Sequence, residues 1–359
     1  VKTLFLGRFD DTPGIVNTVQ GVISNNSSTN TTALAKDGLS TWRLTGANTF
    51  TGTLTVNNGT LQLARVGGST LASGIAVNVV NAFGRGAVLD VSSNETFNSF
   101  SGGVGSSVAL NGITVSIGSA NAAATFNGNI SGTGNFTKLG TGVQTMGSAS
   151  SNVGQTQLGQ STYTGVTTIV GGRIDTSTLA NAGSPSGIGA ASVAASNLKL
   201  SGAANVSDIG LRYIGTGPAT TDRLLSISPS DSATRTNNSI WSSPAHVIGI
   251  NDDAVVNFTN TGDIGFTAAG STTLTLRGNE SSALRDNVFS PRIVDNTLGG
   301  LTNVNKIEAG LWILNNTNTY SGLTTVSAGT LGVSASGALG VGNSNAVANG
   351  TTISGGAGV

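Results

Sequence analysis

Lys36-Asp37-Gly38-Leu39-Ser40-Thr41-Trp42-Arg43-Leu44 leads into Asn48-Thr49-Phe50-Thr51-Gly52 and then Val56-Asn57-Asn58-Gly59-Thr60-Leu61. The same order returns as Lys306-Ile307-Glu308-Ala309-Gly310-Leu311-Trp312-Ile313-Leu314, Asn318-Thr319-Tyr320-Ser321-Gly322 and Val326-Ser327-Ala328-Gly329-Thr330-Leu331. Each aligned pair is offset by 270 positions, and the correspondence reaches back to Ile23 and Ile293. A register held over such a length marks an internal repeat, a unit that buries its apolar face by stacking on its neighbours.

A looser copy lies between. Lys138-Leu139-Gly140-Thr141-Gly142-Val143-Gln144-Thr145-Met146 matches the first half, with Gln144 where the others have Trp. Thr162-Tyr163-Thr164-Gly165, Ile169 and Gly172-Arg173-Ile174 match the second half. About eleven extra residues, 147–157, separate the halves, and such an insertion becomes a loop or an added coil on one face. A Ser-Gly step follows each copy, at Ser73-Gly74, Ser186-Gly187 and Ser336-Gly337. The chain 1–359 therefore reads as one repetitive unit with copies at 19–75, 126–188 and 289–338. The shared structural positions are Lys36, Trp42, Gly52 and Gly59; Lys138, Gly165 and Gly172; and Lys306, Trp312, Gly322 and Gly329. The stretch 183–291 is a spacer with five of the six prolines (Pro13 is the other), and most loops are expected there.

Within the copies the local pattern is strand. Leu54-Thr55-Val56 and Leu61-Gln62-Leu63 alternate apolar and polar residues around Asn58-Gly59, a strong turn signal. Ile113-Thr114-Val115-Ser116-Ile117, Leu198-Lys199-Leu200 and Leu274-Thr275-Leu276 alternate likewise, and no stretch sustains a helical spacing. Glycine contributes 53 residues, whereas charged residues make up only 9% and aromatics 5%. Abundant Val, Ile and Thr suit a pleated surface, and scattered aromatics leave no cluster to fill a sandwich. These features favour a β-solenoid of narrow core and many turns, with coils of roughly 20–25 residues about 4.8 Å apart. Both ends of the chain read as cut from something longer.

At the cassettes the sequence resembles the autotransporter-associated β-strand repeat family. Those repeats run approximately as a Lys-x-Gly-x-Gly segment, Trp-x-Leu, Gly-Ala-Asn-Thr-Tyr-Thr-Gly and Thr-x-Val-x-x-Gly-Thr-Leu. The counterparts here include Thr45-Gly46-Ala47-Asn48-Thr49-Phe50-Thr51-Gly52 and Asn316-Thr317-Asn318-Thr319-Tyr320-Ser321-Gly322. Thr221-Asp222-Arg223 and Asn257-Phe258-Thr259-Asn260-Thr261-Gly262 look like the spacers between such repeats. The resemblance implies an all-β, right-handed parallel β-helix with irregular loops in the middle third. It also implies export to the extracellular space or the bacterial cell surface.

Chemistry-bearing residues are few. The chain has no cysteine, which excludes thiol chemistry and thiolate metal sites, and a single histidine, His246, so a zinc site is not expected. The carboxylate pairs Asp10-Asp11 and Asp252-Asp253 are the candidates for general acid–base work on polysaccharides. Neighbouring strand residues point to opposite faces, however, so neither pair converges on one bond. Sixteen basic residues balance sixteen acidic ones and are scattered singly, which gives no field for nucleic acid or an anionic membrane. No apolar run approaches the ~18 residues of a membrane span. The reading is a structural or adhesive surface protein that is not an enzyme and needs no cofactor. Its partners would be further copies of itself, assembling end to end into fibres, or a neighbouring surface polymer. The alternative is a polysaccharide-binding or polysaccharide-cleaving β-helix with a glycan ligand.

Overall fold

The structure is a computed structural model that describes residues 1–7, 12–147, 158–202, 209–230, 238–242, 255–278, 286–341 and 351–353. Among these residues there is no α-helix, only the 3-10 turns Ala82–Gly84 and Ala195–Asn197. None is a helix long and apolar enough to cross a membrane. Short strands pair in parallel from one coil to the next, which makes the chain an all-β parallel β-helix.

The chain divides into two compact units within the middle copy: the first runs to Gly165 and also takes in Pro185–Ala190, and the second holds Val166–Ser184 and the chain from Ala191 onward. In the first unit, strands alternate between two sheets. Thr32–Lys36, Leu54–Val56, Ile75–Val79 and Glu95–Gly102 stack on one another. The strands between them, Thr41–Leu44, Gly59–Leu63, Ala87–Val91 and Ser106–Leu110, stack in the other sheet. Parallel pairing in register puts like residues over like. Leu34, Leu54, Val77 and Phe100 form one inward column, and Leu44, Leu63, Val91 and Leu110 form a second. All eight are buried, and each such side chain contributes roughly 1.5–3 kcal/mol by leaving water. The period-two alternation of the sequence is thus the inside–outside pattern of the coil.

The second unit repeats this plan with a sheet of Ala219–Thr221, Val256–Phe258, Asn287–Phe289, Leu311–Leu314 and Thr330–Val333. Its other sheet includes Ile209–Tyr213, Asn238–Ser242, Thr272–Gly278, Thr302–Lys306 and Thr324–Val326. Coil length varies more than the reading of 20–25 residues. Leu44 faces Leu63 and Leu314 faces Val333, each 19 positions on, but Ser226 faces Gly265, 39 positions on. The long coils belong to the proline-bearing spacer.

The expectation of dispersed aromatics is corrected by the core. Aromatic residues do gather, although they are scattered along the chain. Phe97, Phe100, Phe126, Phe136 and Tyr163 form a run of ring contacts, with centroids 4.5 Å apart at Phe100–Phe126 and 5.9 Å at Phe136–Tyr163. Stacking coils brings side chains from successive turns of the chain together, so spacing in sequence does not predict spacing in the core. Phe126 even pairs with Gly102, where a Cβ would stand 2.5 Å from its ring.

Candidate functional site

The recurrent cassette is the most elaborated constellation in the chain, and its lysine sets the corner. Lys36 ends the strand Thr32–Lys36 facing inward and is wholly buried. Its ammonium donates to the carbonyl oxygens of Asp37 (2.5 Å) and Gly38 (2.8 Å) in its own turn and Asn58 (3.2 Å) in the next coil. Lys306 repeats this on Ile307 (2.9 Å), Glu308 (2.6 Å) and Ala328 (3.2 Å). Lys138 donates to Leu139 and to Gly140 at 3.0 Å. An ammonium has three donors and no acceptor, and carbonyl oxygens at the corner accept from it in each copy. Burial nevertheless opposes the charge and pushes the Lys138 ammonium down to about 8.

Asparagine holds the adjoining side. Asn48 Oδ1 accepts the Ile23 amide at 2.9 Å, while its Nδ2 donates to Thr70 O at 3.0 Å in the following coil. Asn318 does the same between Ile293 N (2.8 Å) and Ala338 O (2.6 Å). In the middle copy Ser161 Oγ takes this place and accepts Ile130 N at 3.1 Å. The amides after each of these residues then bond to the same carbonyl: Thr49 and Phe50 to Ile23, Thr162 and Tyr163 to Ile130, Thr319 and Tyr320 to Ile293. The correspondence of Ile23 with Ile293 in sequence therefore reflects a shared backbone clamp. Ile130 and Ser161 belong to it as well. Sequence alone did not find them, because a serine replaces the asparagine.

The same clamp corrects the Ser-Gly steps. Asn48 N, Ser161 N and Asn318 N donate to Thr70 O, Ser186 O and Gly337 O. The true equivalents are thus Thr70, Ser186 and Gly337, three residues before Ser73 in the first copy and one residue past Ser336 in the last. Backbone pairing sets the register, not the dipeptide. The shared glycines beyond it are Gly189 and Gly340, both at positive φ, each packed against its copy's tyrosine, Tyr163 or Tyr320.

The cassette glycines answer two different demands. Gly59, Gly172 and Gly329 sit at φ of 62°, 57° and 70°, a left-handed conformation that follows the corner. Gly52, Gly165 and Gly322 need space instead. A Cβ there would meet Thr32 O at 2.4 Å, Gly134 O at 2.1 Å and Thr302 O at 2.2 Å, since the chain crosses over the backbone of the coil before it. Trp312 is fully buried and its Nε1 donates to Arg277 O at 2.9 Å. Trp42 is half-buried and its Nε1 has no acceptor. Gln144, in the matching place, is buried.

Outside the cassettes, Thr221-Asp222-Arg223 forms a plug. Arg223 is buried and donates to the carbonyl oxygens of Ala180, Asn181, Ser184 and Ala191. Asp222 accepts Ala182 N at 2.7 Å, and Thr221 Oγ1 donates to Ala180 O at 2.9 Å. Thr259 and Asn260 of the second spacer motif donate to Thr221 O and Asp222 O, so the two motifs stack as successive coils. The polar outward side chains also form ladders. Asn25 Oδ1 accepts Thr32 N and Thr51 N, and Asp295 Oδ1 accepts Thr302 N and Ser321 N in the last copy.

His246, Asp10, Asp11, Asp252 and Asp253 lie outside the described residues. Among the described ones, no group of three or more His, Asp or Glu could hold a metal ion. The cassette side chains thus bond the backbones of successive coils to one another. Fold and cassette together define a β-helical repeat protein of passenger type. Residues 34–63 and 304–333, the two regular cassettes, match the passenger-associated-transport-repeat family. The chain is 35% identical over 288 residues, 79% of its length, to the "Adhesin BmaC autotransporter" of Brucella suis biovar 1 (strain 1330). It spans about 7% of that relative's length. No solved structure matches the chain. The two regular cassettes thus carry the repeat of autotransporter passengers.

Proposed function

We propose that this chain is a stretch of an adhesive passenger, exported and held outside the bacterial cell, whose stacked coils present a hydrogen-bonding face to other surfaces. The similarity to a protein named as an adhesin supports this reading, as do the passenger repeats of the two regular cassettes. The observation that carries it is the division of labour within each cassette. Lys and aromatic side chains are buried inside, while Thr273 and Asn303, and Asn305 and Thr325, stand outward in register on neighbouring coils. On this reading the chain does not turn over a substrate. Beads coated with the chain should adhere to host-cell monolayers above the level of beads coated with an unrelated β-helix. Equal retention would remove the adhesive role.

Self-association is the finer part of the proposal. The strand Lys2–Leu6 leaves Leu4 and Phe5 each 41% accessible. In a head-to-tail contact between copies, the strand Thr351–Ile353 is the candidate partner of Lys2–Leu6. Sedimentation over a hundredfold range of concentration should show growth beyond the monomer. A constant monomer would leave adhesion standing and end the fibre.

A further inference from the structure

An outward column of the second unit carries most of a charged cluster in a chain otherwise poor in charge. Asp175, Arg212, Trp241 and Arg277 face one another on successive strands, with Arg173 two residues before Asp175. Trp241 lies flat over Gly210, where a Cβ would come 2.1 Å from its Cζ3. Arg277 and Arg173 flank the ring, their guanidinium carbons 4.6 Å and 5.7 Å from its centroid. This packing leaves the indole 7% exposed and fixes the arginines that touch it.

The pairing of these arginines is incomplete. Asp175 Oδ1 accepts both Arg173 Nε (2.8 Å) and Arg212 Nε (3.0 Å), and Arg212 Nη2 bonds Asp175 Oδ2. Arg277 is engaged by Glu308 Oε1 at 3.0 Å. Arg173 and Arg212 thus share the single carboxylate of Asp175. Both terminal nitrogens of Arg173 and Nη1 of Arg212 find no acceptor among the described residues, and these side chains are 32% and 28% accessible. Two forks held on one carboxylate oxygen, with N–H groups left over, match a planar or tetrahedral oxyanion.

The column beside Trp241 shows what the rest of such a ligand would meet. From Arg173 it runs in register through Gly210, Ser239, Thr275, Asn305 and Thr325. Thr275 Oγ1 and Asn305 Oδ1 are buried atoms without a hydrogen-bond partner. Asn305 and Thr325 border an open groove of about 360 Å³. Hydroxyl groups, which donate and accept, are the chemistry that answers the partly exposed amide and hydroxyl side chains bordering this groove.

We infer that this face binds an acidic polysaccharide, its carboxylate or sulfate on Arg173 and Arg212 and its hydroxyls at Asn305 and Thr325. The inference rests on the adhesive reading and names its ligand class and site. Binding of the 359-residue chain to polygalacturonate, sulfated dextran and uncharged dextran, followed by calorimetry, tests it. At least one acidic polymer should bind tenfold or more tightly than uncharged dextran, and whichever does so identifies the oxyanion. Arg173→Gln should weaken that binding at least tenfold with an unchanged melting temperature. Arg173→Lys, which keeps the charge and loses the fork, should fall between. Arg43→Gln, at an exposed arginine of the first unit, should bind as the parent does. Equal binding to uncharged dextran, no binding to either acidic polymer, or equal losses in Arg173→Gln and Arg43→Gln would overturn the inference. Bead adhesion separates the two levels. Adhesion that survives Arg173→Gln without acidic-glycan binding by the parent sinks this site alone, whereas a parent that adheres to nothing sinks the adhesive reading.

Discussion

Trp42 and Trp312 occupy the same place in the first and last cassettes, yet their surroundings differ. Trp312 is fully buried and bonded to Arg277 O, while Trp42 is half-buried with its indole N–H unpartnered. The difference comes from the coil before each one. The strand Thr272–Gly278 lies before Trp312 and offers a carbonyl. The place equivalent to Arg277 in the first copy is Gly7, at φ 73°, where a Cβ would stand 2.9 Å from Trp42 Nε1. A second contrast lies at the corner. Gly38 has φ 69° and Gly140 φ 62°, but the last copy holds Glu308 at φ 66°, a strained choice for a residue with a side chain. The motif fixes each coil's internal path, and the neighbouring coil decides how well each side chain is satisfied.

The largest effect should come from the lysines, where the copies agree. Lys306→Met leaves three carbonyl oxygens without their donor, and each buried acceptor left unsatisfied costs about 1–3 kcal/mol. Lys36→Met should cost nearly the same, as read from urea unfolding. A loss under about 1 kcal/mol at either site would show that the corner holds without its ammonium. Gly322→Ala and Gly52→Ala come next, at about 2–3 kcal/mol, because the added carbon would press on a backbone carbonyl.

Trp312→Phe should destabilise by about 1–2 kcal/mol more than Trp42→Phe, since only the first loses a made hydrogen bond and buried area. Parity between them would contradict the environments described. Another contrast is dependent on pH. Glu95, buried in the first unit, accepts Thr70 N at 2.5 Å and Ser93 Oγ at 2.6 Å, and so continues the polar column that Asn48 begins. Burial pushes its carboxyl above the ordinary 4.5. The native state then binds the proton more tightly than the unfolded chain does, so this group's stabilisation is full below 4.5 and is lost as pH rises through the folded value. Glu95→Gln should flatten that slope in unfolding curves taken from pH 4 to 7, and an unchanged slope would assign it to other groups. The smallest change is Glu308→Gly. Relief of the left-handed backbone, roughly 1–2 kcal/mol, is offset by loss of a partly exposed ion pair with Arg277 worth up to about 1 kcal/mol. A net gain below about 1 kcal/mol is expected, visible as a small rise in melting temperature.

Much of the cassette was legible from residues alone because its constraints are local. Lys36, Lys306, Gly59 and Gly329 recur since the corner admits few alternatives, and period-two alternation follows from the pleat. The clamp at Ile130 and Ser161 was not legible, because a hydroxyl can replace an amide when only one backbone N–H must be accepted. The aromatic run and the arginine cluster around Trp241 were hidden for another reason. Their members are separated by many residues and become neighbours only when coils of unequal length stack.

The sequence by itself determined the strands, the corners, the order of the copies and the kinship with passenger repeats. Those properties depend on alternation, on glycines with no substitute and on a lysine at a fixed distance from its turn. Tertiary structure decided the partners: which carbonyl meets Trp312, which rings touch, and which arginines share Asp175. Parallel stacking joins residues 19 to 39 positions apart, and that register is set by coil length and backbone pairing rather than by any one motif.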